Sequence, residues 1–409
     1  MTTIIGTSQT TPAATATPET ALDVIRAVNQ ARAQNLRIAI VATGHGMKPL
    51  GGLDDAFVID ASRLDSVEID PARRIARIGG GVTWQRLIEE ANRFGLVAPF
   101  GTAGSVGVTG YSLGGGVGPL GRYLGLGASA IRSVEMVTVE GEGLRIDETS
   151  DPELFWGLKG GGGGFGVITG MEIELTPLPD MTAGMLIYPF RRADEVAKRW
   201  SAWTRTIPDD LTTSLRFVQV EPGQVVVMVM VASPRPEIDV LGQLDDLVSL
   251  VPVVNTVGAT DPVRFLAENG DPDDGPPVAI EHTLIDSLPN DAIETAIEFA
   301  DPAGGSPLLM TEFRFLGGEL AEPTGKVGAL PRMDGEYMFM AMALPDGDAQ
   351  VKYAADVISD YGRGRSCLNF GLEPIDRKTA FDAATLARLG ELYRRLDPEG
   401  VLVQPHPMA

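Results

Sequence analysis

Gly101-Thr-Ala-Gly-Ser-Val-Gly-Val-Thr-Gly-Tyr-Ser-Leu-Gly-Gly-Gly-Val-Gly118 is the stretch on which the fold turns. Its glycines are too dense, and its apolar positions too irregular, to predict a helix or a strand. It offers backbone instead: many N–H groups that no side chain shields, with hydroxyls at Thr102, Ser105 and Thr109 among them. A loop of that make-up wraps a pyrophosphate without using formal charge. Within it, Gly110-Tyr-Ser-Leu-Gly114 matches the nucleophile elbow G-x-S-x-G, with Ser112 at its centre. An elbow needs a hydrophobic strand before it and a helix after it. Gly101 to Thr109 is no such strand, and Gly115-Gly-Val-Gly-Pro119 is hostile to a helix. A serine hydrolase using Ser112, with His282 or His406 as base, is therefore the minor alternative.

Two further glycine clusters flank this stretch. Gly160-Gly-Gly-Gly-Gly-Phe-Gly166 matches G-x-G-x-x-G on paper. A dinucleotide fingerprint follows a strand and opens a helix. Here the order is reversed: Asp151 to Leu158 is predicted as a helix and Val167 to Leu175 as a strand, so a Rossmann crevice is not expected. The other cluster, Val41-Ala-Thr-Gly-His-Gly46, follows a β-branched strand predicted over Leu36 to Ala42. A lone histidine is usually structural or merely exposed. His45 sits between two glycines at a strand end, which suggests close approach to a ligand.

At 409 residues the chain exceeds what one hydrophobic core usually serves, so two lobes are expected. The net charge of −22 argues against nucleic acid and against anionic membrane surfaces. With one cysteine, Cys367, and three histidines, neither a disulfide nor a Cys/His metal cluster is expected. The N-terminus lacks the basic start and apolar run of a signal peptide, and no stretch is long and apolar enough for a membrane span; a cytoplasmic location is expected.

Residues 1–17 are predicted as a flexible tail. Thr17-Pro18-Glu19-Thr20 then opens a helix whose apolar stripe is Leu22, Val24, Ile25, Val28 and Ala31. Short strands follow at 56–60, 66–69 and 75–78, a helix at 84–94 stopped by Gly95, and a strand at 131–139. Character changes near Pro179. Strands at 185–190, 215–220, 225–231, 308–316 and 337–344, with helices at 193–204, 238–250 and 349–361, describe a second sheet backed by helices. Residues 269–277 are predicted as a loop, and 380–395 as a last helix. The expected division is 18–179, 180–365 and a C-terminal return over 366–409, in an α+β class.

Taken in order, several of these motifs resemble the berberine-bridge-enzyme-like branch of the vanillyl-alcohol-oxidase superfamily. Val41 to Gly46 is similar to its histidine loop, Gly101 to Leu120 to its second FAD loop, and Asp151 to Thr169 to its next signature. Phe313-Arg-Phe-Leu-Gly-Gly318 resembles a substrate-lobe strand of bacterial members. Cys367-Leu-Asn-Phe370 and Leu392-Tyr-Arg-Arg-Leu-Asp-Pro398 resemble the C-terminal return. The resemblance spans roughly residues 18–180 and 308–407. It implies a two-lobed PCMH-type FAD-binding fold with an antiparallel-sheet substrate lobe. It implies FAD held by Ala42, Thr43, Gly44, His45, Gly46 and Met47 in the first loop. In the second loop it implies Gly101, Thr102, Ser105, Val106, Gly107, Thr109, Gly110, Gly115 and Gly118, with Val167 and Asn369 beyond. His45 takes the place of the histidine that attaches to the flavin 8α-methyl. Ala103 stands where some members carry a second, cysteinyl attachment, so only one bond is implied.

Three departures are visible. The stretch before Thr20 is shorter than in members, so the adenine side is expected to be rebuilt or open. Cys367 replaces the tyrosine of a Tyr-x-Asn motif that helps deprotonate an alcohol. Val41 and Gly164 stand where Arg and Asn are common. The function implied is an oxidase that passes hydride from a small organic substrate, a specialised metabolite or a sugar, to flavin N5, with dioxygen as acceptor. The candidate bases are Glu312, Tyr337 and Cys367. Strand alternation puts Glu312 with Arg314 on one face, and Tyr337 with Phe339 on one face of another strand. The competing expectation is that Glu312 and Arg314 pair across a solvated sheet. A fold that uses FAD only as a scaffold for a non-redox cyclisation or isomerisation is the other alternative. The oligomeric state is not legible.

Overall fold

A computed structural model describes residues 11–269, 277–325 and 327–408. Three sheets form the layers of the fold. A small parallel sheet orders Ala14–Ala16, Ala56–Asp60 and Arg37–Val41. Beside it an antiparallel five-stranded sheet orders Val67–Asp70, Ile75–Gly79, Val167–Glu174, Ile131–Val137 and Gly143–Ile146. The helix Ala21–Ala33 buries Val24, Val28 and Ala31 between the two. Its first turn is capped by the Thr20 hydroxyl, which accepts the Asp23 N–H at 3.2 Å. Two expectations fail here. Residues 14–16, assigned to a flexible tail, add a strand to the parallel sheet, and residues 1–10 lie outside the described part. Leu22, assigned to the apolar stripe, is exposed.

The third sheet is antiparallel. Its order is Val254–Asn255, Thr182–Pro189, Gln224–Ser233, Thr212–Glu221, Leu308–Phe315, Tyr337–Ala343, Ala279–Ile285 and Gly362–Arg365, with Gly258–Ala259 also pairing to Thr182–Pro189. One face packs on the helices Ala193–Thr204, Asn290–Ala300 and Asp348–Ser359 through Leu215, Phe217, Phe313, Phe339 and Trp200. Each such side chain contributes roughly 1.5–3 kcal/mol by leaving water. No expectation covered Asn290–Ala300 or Pro262–Asn269 as helices, or Ala279–Ile285 as a strand. The helix expected over 238–250 is two short ones, Glu237–Gln243 and Asp245–Val248. The loop expected over 269–277 falls mostly outside the described residues.

The chain then returns to the first two sheets. Leu389, Leu392 and Tyr393 of the helix Ala383–Leu396 join the core of Leu154, Leu158 and Phe165. Phe165 stacks on Tyr393 with ring centroids 4.5 Å apart, and the Tyr393 hydroxyl donates to the Gly163 carbonyl at 2.8 Å. Further on, Val403 N–H donates to the Ile38 carbonyl, at 2.8 Å, beside the parallel sheet. Among the described residues no helix is long and apolar enough to cross a membrane. Nor, among the described residues, does any group of three or more His, Cys, Asp and Glu side chains gather for a metal.

Candidate active site

The first glycine loop leaves Arg37–Val41 and turns at Gly44, whose φ of +89° suits glycine and strains other residues. The turn closes by a Met47 N–H bond to the Gly44 carbonyl at 3.1 Å. This puts Thr43 and His45 against the second loop. His45 Nε2 lies 3.0 Å from the Ser105 hydroxyl, and the Gly107 N–H donates to Thr43 Oγ1 at 3.3 Å. Residues separated by about sixty positions are thereby joined, and the two loops lie against each other.

The second loop is not wholly irregular, contrary to expectation: Val108–Leu113 and Gly121–Leu124 are short helices. Many of its glycines serve a ring rather than a ligand. A Cβ added at Gly116, Gly127 or Gly101 would meet the Tyr111 ring at 2.2, 2.8 or 3.0 Å, so these positions must stay bare for Tyr111 to pack edge-on to Trp84. A Cβ at Gly118 would lie 1.8 Å from the Phe100 carbonyl oxygen. Gly46 and Gly110 differ: a Cβ there would meet nothing within 4 Å, so open space lies beside them.

Two side chains hold this loop from outside. Asn369 accepts the Gly116 N–H at 2.8 Å and donates to the Tyr111 carbonyl at 2.9 Å. Arg122, buried, caps the carbonyls of Leu316 and Pro208 and lies over the Phe315 ring at 4.3 Å. The bare Gly317 and Gly318 make room for it, since a Cβ at Gly317 would lie 2.3 Å from the guanidinium. Sequence reasoning missed Arg122. The Gly-Gly pair after a strand was the available signal.

Across from the loop stands the open face of the third sheet. A cavity there is lined by Thr102 and Gly118 from the loop and by Ser214, Arg216, Met230 and Arg314 from the sheet. Pairing sets Ser214 opposite Arg314 and Arg216 opposite Glu312, which fixes their common face. Glu312 accepts from Arg314 Nε at 3.1 Å and from Arg216 Nη2 at 3.3 Å. Burial alone would raise the Glu312 carboxyl, but the two guanidiniums outweigh it and hold its pKa at about 2. The expected pairing of Glu312 with Arg314 is present. The expected solvation is not, for Glu312 is fully buried and Arg314 is 8% exposed.

The other candidate bases fare differently. Tyr337 is paired with Phe315, and Phe339 with Phe313. Both therefore point into the helix-backed core, away from the cavity, and the Tyr337 hydroxyl lies 2.7 Å from Thr204 Oγ1. That corrects its assignment as a base. Cys367 is buried beside Met338, and burial pushes its thiol to about 12, so it carries no charge at neutral pH. His282, expected beside a loose loop, is a sheet residue. Its Nε2 accepts the Cys367 N–H at 2.9 Å, and burial lowers its pKa to about 4. His406 is engaged at both ring nitrogens, with Ile375 N–H and the Leu368 carbonyl. Ser112 is fully buried inside a helix, and neither His282 nor His406 bonds to its hydroxyl, so the described residues do not form the triad. Val167 points its side chain into the core under Ala21–Ala33, so only its main chain faces elsewhere. Gly160 to Gly166 links a helix to a strand, as expected, and serves the C-terminal helix through Gly163 and Tyr393.

Comparison with known proteins follows this geometry. A family profile described as an FAD binding domain matches residues 12–147. The chain is 27% identical to the FAD-linked oxidoreductase DDB_G0289697 of Dictyostelium discoideum, over 86% of this chain and 74% of that protein. It is 38% identical to (R)-6-hydroxynicotine oxidase of Paenarthrobacter nicotinovorans, over 41% of this chain and 36% of that one. Several curated relatives are thus matched over half of their length or less. A solved structure of a berberine bridge enzyme variant superposes with a TM-score of 0.85, covering 99% of this chain and 92% of the other at 18% identity. Residues 12–147 carry the FAD binding domain, and the chain shares the fold of berberine bridge enzyme.

Proposed function

We propose that this protein is an oxidase that binds FAD between the two glycine loops and takes hydride from a small organic substrate lying against the Ser214–Arg216–Glu312–Arg314 face, with dioxygen as the final acceptor. The observation that carries the proposal is the joining of the two glycine loops by His45 and Ser105, the second loop lining with Thr102 and Gly118 a cavity shared with Arg216 and Arg314. The residues present suit the cofactor. Open space beside Gly46 and Gly110 leaves room for a bulky group where the loops meet. Thr109 Oγ1 is buried there without a hydrogen-bond partner, a cost that a ligand acceptor or donor would remove. The first-turn amides of Val108–Leu113 at Thr109 and Gly110 have no acceptor within their helix, as suits a diphosphate.

When bound, FAD supplies the two-electron acceptor. The chain supplies position and charge. Ala42, Thr43, Gly44, Gly46 and Met47 would hold the cofactor from the first loop, with His45 as its attachment point. Gly101 to Gly110, Val106 among them, would hold it from the second, and the turn through Gly115 is kept in place by the bond from the Gly116 N–H to Asn369. Glu312 fixes Arg216 and Arg314 rather than accepting a proton, since a carboxylate held by two guanidiniums is a poor base.

Purified protein is expected to be yellow, to bleach with a substrate in the absence of air, and to yield peroxide when air returns. A yellow protein that no hydride donor bleaches would instead favour a non-redox scaffold. For the attachment, acid precipitation is expected to leave flavin in the pellet of the natural protein and to release it from His45→Ala. All flavin in the supernatant of the natural protein contradicts the bond.

A further inference from the structure

We propose that the substrate carries a carboxylate, seated on Arg216 and Arg314, and an apolar body that lies along methionine side chains of the same sheet face. This rests on the reading that the flavin ring faces this sheet, and extends it to the class of substrate.

The charge count at the cavity does not balance. Two guanidiniums line it, and among the described residues Glu312 is the only carboxylate bonded to either. Glu312 itself is fully buried behind them, with Ser214 as a further partner. The remaining groups near Arg314 are the Phe370 ring, whose centroid lies 5.5 Å from the guanidinium carbon, and the Tyr111 hydroxyl and Cys367 thiol, both raised by burial away from ionisation; none carries a negative charge. One net positive charge is left in a largely buried place, on a protein whose overall charge is −22. Such a charge is costly unless a partner arrives. Arg216 also keeps Nε buried and without a partner, so a donor on the cavity-lining residue itself is unsatisfied. The nearby Asp209 and Asp210 are spoken for by Arg122 and Arg235. A carboxylate bridging two guanidiniums meets all of this with charge-assisted hydrogen bonds.

The rest of the face is apolar and soft. Pairing places Met228 opposite Arg216, Met230 opposite Ser214, Met338 opposite Arg314 and Met340 opposite Glu312. Along the same alternation lie Met310 and Met342, a cross-strand pair. Met228, Met310 and Met342 are half-buried, so the row runs from the arginines toward solvent. Methionine adapts to irregular apolar shapes and grips aromatic edges through sulfur. A sugar would find few hydrogen-bond partners on it. An acid with an aromatic or aliphatic body suits both ends.

The test uses the flavin-loaded protein with phenylacetate and its neutral isostere phenylacetamide as probes, read by flavin spectral perturbation and independently by calorimetry. The expected result is that phenylacetate binds roughly tenfold or more tightly than phenylacetamide, the size of a charge-assisted hydrogen bond. Arg216→Gln is expected to abolish that preference while leaving flavin content unchanged. Equal binding of acid and amide, binding of neither, or an acid preference that survives Arg216→Gln overturns the inference. So does a variant in which acid binding is untouched but flavin reduction becomes harder, because the charge then serves the reduced cofactor. Colourless protein that takes up no added FAD contradicts the parent reading instead, and calorimetry then still reports on the arginine pair.

Discussion

One wall of the cleft, residues 101–118, presents little except main chain and glycine; the other, the sheet face around Arg314, presents guanidinium, carboxylate and methionine side chains. The first wall is made exact by what is absent. Bare α-carbons let Tyr111 pack among Gly101, Gly116 and Gly127, and Asn369 then pins the backbone from the far side. The second wall is made exact by opposed charges held out of water, Glu312 between Arg216 and Arg314. The lesson is that a backbone wall suits an invariant cofactor, whereas a side-chain wall can be rewritten for each substrate. Mutations should therefore fail differently on the two sides.

The largest effect is expected on the side-chain wall. Glu312→Gln leaves two buried guanidiniums without a counter-charge and should cost about 3–5 kcal/mol in denaturant unfolding. A loss below about 1 kcal/mol would mean the arginines are solvated and the contrast is overdrawn. On the backbone wall, Asn369→Ala strips a partner from both the Gly116 N–H and the Tyr111 carbonyl. A cost of roughly 2 kcal/mol is expected, with faster loss of flavin on dialysis of any non-covalently loaded protein. Tyr337→Phe should cost only about 1 kcal/mol, for the bond to Thr204, and leave the pH dependence of turnover unchanged. A collapse of turnover in that variant would return Tyr337 to the chemistry. Smallest in stability is Gly110→Ala. A methyl there meets no protein atom within 4 Å and lies in a helix, so the flavin-free protein should be unchanged or gain up to about 1 kcal/mol. Flavin uptake should nevertheless fall, because the open space is the cofactor's. Unchanged uptake would place the groove elsewhere.

The same contrast explains what could be read in the sequence. Glycine spacing, the lone His45 after a strand and the reversed helix–strand order around Gly160 to Gly166 are local facts; they singled out two loops that the fold brings into contact, and they argued against a Rossmann crevice. Strand alternation paired Glu312 with Arg314 correctly. It could not say which face of which strand meets the cleft, because that depends on what packs behind: Tyr337 and Glu312 sit on adjacent strands and look in opposite directions. Nor did the sequence separate glycines that accommodate Tyr111 from glycines that leave space. Arg216 was invisible because its partner lies 96 residues away, and Arg122 left only the indirect mark of the bare Gly317 and Gly318. The helix Asn290–Ala300 escaped because its buried stripe, Ala292, Ile293, Ala296 and Ala300, is mostly alanine, a weak apolar signal.

A crystal structure of the protein loaded with FAD tests the account most directly. It should show the isoalloxazine in the cleft between residues 101–118 and the Arg216–Arg314 face, within bonding reach of His45, with the diphosphate running along the second loop. A flavin seated elsewhere, for instance on the far side of the sheet or away from His45 and Gly110, would contradict it.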